Sequence, residues 1–97
     1  MKKAGEEQQI RRTVLVVDAE EIVQKTIGSI LQCLGYRVLA AADAGHANAL
    51  FTKHGLELAL LVVDIRLATV SGPEFVDRLP TLEMRVPVLF TTAGGGI

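Results

Sequence analysis

Two kinds of hydrophobic pattern alternate along the chain. Val14-Leu15-Val16-Val17 is apolar on successive residues and closes at Asp18. Such a run fits a strand buried on both faces, as in a parallel sheet. From Glu20 to Leu34 the apolar residues Ile22, Val23, Ile27, Ile30, Leu31 and Leu34 recur at three and four. That spacing predicts a helix with one inward face, ended by Gly35. A short strand follows at Arg37–Ala41, then a helix capped by Asp43 with Ala47, Leu50 and Phe51 facing inward. Gly55 stops that helix. Leu58–Val63 is a third strand, again apolar throughout and again closed by an aspartate, Asp64. After a loop from Ile65 to Gly72, Pro73 suits the first turn of a third helix. Phe75, Val76 and Leu79 would face inward, and Pro80 would end it. Pro87–Thr91 reads as a fourth strand, with Thr92 at its carboxyl end.

Strands alternating with helices of this length predict an α/β domain with a parallel sheet and helices on both faces. In such folds the ligand site lies beyond the carboxyl ends of the strands. That rule singles out Asp18, Asp64, Thr92 and the loops beside them. If the first and third strands are neighbours, two carboxylates meet at one sheet edge. They would then share a proton or bind a cation. Oxygen ligands of this kind suit Mg²⁺, which keeps several waters and takes one or two carboxylates.

Composition narrows the picture. The 97 residues allow one domain, and 49% hydrophobic against 22% charged residues is a globular balance. A net charge of −1 gives no electrostatic footprint for nucleic acid or an anionic membrane. The longest apolar run is far too short to span a bilayer, and the amino terminus lacks a signal-peptide core. A cytoplasmic protein is expected. Cys33 stands alone, which excludes an internal disulfide and a cysteine zinc cluster. Its place on the first helix predicts a buried or half-buried small hydrophobe. His46 and His54 lack metal-ligand spacing and read as surface residues. Residues 1–12 are polar without periodicity and read as a flexible linker, with the domain over 13–97. Gly94-Gly95-Gly96 lacks the lysine and helix of a phosphate loop and reads as a chain end.

Four segments in order resemble the receiver domains of response regulators in two-component signalling. They are Val14–Glu21, Leu34–Ala44, Val62–Leu67 with Ser71–Glu74, and Val86–Ala93. Ser71-Gly72-Pro73-Glu74 and Pro87-Val88-Leu89-Phe90 are most similar to receivers attached to hybrid sensor histidine kinases. The resemblance implies a flavodoxin-like three-layer α/β/α sandwich with strand order 2-1-3-4. It implies a signalling module of a phosphorelay, not an enzyme in its own right. Asp64 would accept a phosphoryl group from the phosphohistidine of a histidine kinase or phosphotransfer domain. Asp18, Asp64 and the backbone carbonyl of Arg66 would hold Mg²⁺, and the Thr92 hydroxyl would act as the switch.

The chain departs from the family's pattern at three places. Ala19 stands where a second acid is usual, so weak Mg²⁺ binding is expected. Ala68 stands where a proline is common. No lysine of a fifth strand is present, and the chain reads as an incomplete receiver. A degenerate receiver that binds partners without phosphorylation is therefore the alternative expectation. An apolar fourth strand at the sheet edge also predicts self-association.

Overall fold

The computed structural model of the chain describes residues 10–92, so the proposed Gly94–Gly96 chain end lies outside the described residues. Four strands, β1 (Thr13–Val17), β2 (Arg37–Ala41), β3 (Leu58–Asp64) and β4 (Val88–Thr91), form one parallel sheet in the order β2-β1-β3-β4. Three helices, α1 (Glu21–Cys33), α2 (Ala44–His54) and α3 (Gly72–Asp77), connect them. The architecture is the expected flavodoxin-like one. Strands β1 and β3 lie inside the sheet, which is why their side chains are apolar on both faces. Every residue of β1 is buried, and β3 is buried from Leu61 to Asp64.

Local chemistry sets the helix ends. Gly35 adopts φ +97°, and Tyr36 N–H donates to the Leu31 carbonyl at 3.1 Å while Gly35 N–H donates to Gln32 at 3.0 Å. This left-handed ending satisfies the last carbonyls of α1 at a position where a Cβ would be strained. The Asp43 carboxylate accepts from His46 N–H at 2.8 Å and caps α2 as expected. Gly55 does close α2, but with φ −53° it continues into a 3₁₀ turn over Gly55–Glu57. Its lack of a side chain serves packing instead, since a Cβ there would stand 2.7 Å from Met84 Cε. Helix α3 begins at Gly72, one residue before the expected Pro73, and its six residues end short of Pro80. Phe75 and Leu79 are buried as expected, while Val76 is half-buried.

The two faces of the sheet are covered unequally. Helices α2 and α3 enclose the larger core, in which Leu15, Val17, Leu61 and Val63 meet Phe51, Phe75 and Leu79. On the other face α1 lies over β1 and β2, and Ile27 and Leu31 pack against Val14, Val16 and Val62. The expected inward face of α1 is therefore too wide. Ile22, Ile30 and Leu34 are 72%, 59% and 68% exposed. They fall on the i, i+4 row beside the one that Val23, Ile27 and Leu31 form, and no second described helix reaches that row. Cys33 is also exposed, contrary to expectation, at the solvent side of the last turn.

At the amino end, the Arg12 carbonyl accepts from Arg37 N–H at 2.8 Å, and the Arg11 guanidinium donates to the Arg85 carbonyl at 3.1 Å. Among the described residues no helix is long and apolar enough to cross a membrane.

Candidate functional site

Parallel register decides which strand ends meet. Val17 pairs with Val63, so the next residues, Asp18 and Asp64, sit side by side at the carboxyl edge of β1 and β3. Asp64 pairs with Thr91 of β4, and Ile65 N–H donates to the Thr91 carbonyl at 2.9 Å. Thr92 is the next residue, exposed and one step beyond the carboxylate pair. Three expected site residues thus lie on three adjacent strand ends.

Both carboxylates are removed from water, Asp18 at 1% and Asp64 at 8% exposure. Asp18 Oδ1 accepts from Glu20 N–H at 2.9 Å, whereas Oδ2 is buried and has no hydrogen-bond partner. Burial raises the carboxyl of Asp18 above its ordinary range. The Glu20 N–H opposes that shift, and the nearby negative charges of Asp64 and Glu20 add to it. Asp64 Oδ1 accepts from Arg66 N–H at 3.0 Å. One oxygen of each carboxylate is therefore pinned by the amide two residues further on, which fixes the orientation of the other.

The loop after Asp64 is pinched. Gly72 N–H donates to the Ile65 carbonyl at 2.9 Å, and Arg66 and Ser71 form an isolated antiparallel bridge. A Cβ on Gly72 would stand 2.4 Å from the Asp64 carbonyl oxygen, so only glycine lets the returning chain approach so closely. Ser71 and Glu74 then form a reciprocal capping box that starts α3. The Ser-x-x-Glu spacing was a readable signal for that cap. Gln24 was not among the expected site residues, yet its Nε2 donates to the Asp18 carbonyl at 2.6 Å. Helical spacing from Glu20 puts Gln24 over the β1 terminus, but only the folded turn shows the contact.

An orphaned buried carboxylate oxygen beside a second carboxylate is the donor set of a hard divalent cation. Among the described residues no three His, Cys, Asp or Glu side chains come together around a metal. Ala19 supplies no carboxylate, and the Glu20 side chain does not join the pair. Two carboxylates and backbone oxygen fit Mg²⁺, which keeps several of its waters. No hydrogen bond among the described residues takes the Arg66 carbonyl, which leaves it open to such a role. Arg66 is exposed. His46 is exposed, and His54 lies 3.4 Å from Glu57 at the opposite end of β3, away from this site. A concavity of about 400 Å³ along α1 and β2 also lies to one side of the carboxylate edge.

Comparison with known proteins agrees with this fold. Residues 14–96 match the response regulator receiver domain family. The phosphate regulon transcriptional regulatory protein PhoB of Pseudomonas aeruginosa is 33% identical over 88 residues, which is 89% of this chain and 38% of that protein. A response regulator receiver domain protein from Clostridium thermocellum superposes with a TM-score of 0.77 at 22% identity, covering 86% of this chain and 66% of the other. The response regulator TrrA of Thermotoga maritima, solved with Mg²⁺ and beryllium fluoride, gives 0.75 at 24% identity, covering 84% of this chain and 70% of the other. The chain thus spans less than half the length of the curated relatives it matches.

Proposed function

The chain belongs to the response regulator receiver domain family of two-component signalling, and from that premise we propose that it is a phosphoacceptor whose acceptor is Asp64. The observation that carries the reading is the pair of buried carboxylates at neighbouring strand ends, one of them with an unpartnered oxygen. Asp64 Oδ1 is held by Arg66 N–H, which leaves Oδ2 as the nucleophile. Asp18, Asp64 and the Arg66 carbonyl would hold Mg²⁺. The bound cation would supply charge neutralisation, so that an anionic phosphoryl donor can approach two carboxylates. Ala19 removes one hard ligand, and affinity for Mg²⁺ is correspondingly weak. The Thr92 hydroxyl, one residue past the Asp64 partner in β4, serves as the switch donor to a phosphoryl oxygen.

The donor protein in this reading is a histidine kinase or phosphotransfer domain, and the site of action is cytoplasmic. The curated relatives are transcriptional regulators, and the resemblance to receivers of hybrid kinases gains no support from them. Ala19 favours a second reading, a degenerate receiver that engages partners without phosphorylation.

Intact mass after incubation with acetyl phosphate and Mg²⁺ separates the two. Addition of one phosphoryl mass is expected, and it should vanish in Asp64→Asn. An unmodified wild-type protein would support the degenerate reading, and labelling that persists in Asp64→Asn would move the acceptor elsewhere.

A further inference from the structure

The charges at the carboxyl edge are lopsided. Asp18, Glu20, Asp43 and Asp64 are all acidic, and a phosphoryl group on Asp64 would add further negative charge. Among the described residues of the strand-to-helix loops at this edge, Arg66 is the one cation. Lys25 on α1 is already paired with Glu21 at 3.3 Å. Glu74, the acid nearest in sequence after the loop, is engaged in the Ser71 cap. Arg66 itself is exposed and makes no ion pair among the described residues.

Its backbone is held from two sides. Arg66 N–H binds Asp64 Oδ1, and the bridge to Ser71, closed by Gly72 N–H on Ile65, fixes the loop neck. The guanidinium therefore starts from an anchored Cα two residues from the acceptor, with a free side chain. A guanidinium fork matches phosphoryl oxygens in bidentate fashion and stays charged at any working pH.

Resting on the phosphoacceptor reading above, we propose that Arg66 is a phosphoryl-binding residue, its guanidinium neutralising the group carried by Asp64. In the transfer from acetyl phosphate, Asp64 Oδ2 forms a bond to phosphorus. The bond from phosphorus to the acetate oxygen breaks, and acetate leaves with that electron pair. Arg66 takes no proton. It stabilises charge on the peripheral oxygens during transfer and in the acyl phosphate that results.

Arg66→Ala and Arg66→Lys are compared with the wild-type chain in two measurements, phosphorylation rate by intact mass and binding of beryllium trifluoride with Mg²⁺ by fluorine NMR. Arg66→Ala should slow phosphorylation and weaken beryllium trifluoride binding by roughly ten-fold, the effect of losing one charged hydrogen bond. Arg66→Lys, which keeps the charge and loses the fork, should fall between. Thermal stability should not change, because the side chain is exposed and the backbone amide remains. Wild-type behaviour of Arg66→Ala in both measurements would overturn the role of Arg66 and leave Asp64 as acceptor. Absence of both labelling and beryllium trifluoride binding in the wild-type protein would overturn the acceptor reading and this inference with it.

Discussion

The two faces of the sheet carry similar apolar patterns and end in different states. On one face α2 and α3 together close over Leu15, Val17, Leu61 and Val63, and the aromatic rings of Phe51 and Phe75 are fully enclosed. On the other, among the described residues, α1 alone covers Val14, Val16 and Val62, and Ile22, Ile30 and Leu34 face water. The residues of α1 are no less hydrophobic than those of α2. What differs is how many elements share the face. Helix spacing places apolar groups toward one side, but burial requires a neighbour on each flank of that side.

Deleting matched side chains from the two faces should separate them most clearly. Phe51→Ala opens a cavity inside the α2 and α3 core and should cost about 3–5 kcal/mol. In a domain this small that loss leaves little folded protein at room temperature. Ile30→Ala on the exposed row of α1 should change stability by less than about 0.5 kcal/mol. Urea denaturation of both variants tests the contrast, and equal losses would mean that the α1 row is buried in solution.

A smaller effect, of opposite sign, is expected where the two faces meet at the carboxyl edge. Burial holds the Asp18 carboxyl above its ordinary value near 3.8, so the folded chain binds that proton more tightly than the unfolded chain. Above the raised pKa the ionised, half-unpartnered carboxylate costs the fold its full penalty. As pH falls through the raised pKa toward 3.8 the penalty disappears. Asp18→Asn should therefore raise stability near neutral pH by about 1 kcal/mol, since the amide can donate toward Asp64. The same variant should lose most of the stabilisation that Mg²⁺ gives the wild-type chain. Thermal melts between pH 5 and 8, with and without Mg²⁺, read both effects. A lower melting temperature for Asp18→Asn at pH 7 would show that Asp18 is satisfied in solution.

The smallest change in stability is expected at the open edge of the sheet, where it should be read as association instead. Leu89, on the α1 face, is 54% exposed, and Phe90, on the other, is 41% exposed. Strand β4 is the last of the described sheet and carries no charge between Val88 and Thr91. An uncharged apolar edge with unpaired backbone groups invites a second strand. The 97-residue chain should self-associate at high concentration, and Leu89→Lys should reduce that association with little effect on melting temperature. Light scattering after size exclusion checks it; a wild-type monomer at high concentration would show that the edge is closed in solution.

Much of this molecule follows from local sequence. Continuous apolar runs ending in aspartate specify β1 and β3, because a strand buried on both faces has no polar alternation. Gly35 and Asp43 specify their helix ends by backbone chemistry that involves only nearby residues. Such features act within a few residues and are legible without the fold. The pairing of Asp18 with Asp64 is different. Their 46-residue separation carries no signal of contact until strand order and register bring β1 beside β3. The same holds for the orphaned Oδ2 of Asp18, the reach of Gln24 to the β1 terminus, and the need for glycine at residue 72. The exposed row on α1 departs from the periodicity for the same reason. Periodicity reports which residues share a side of a helix, and only tertiary packing decides whether anything lies against that side.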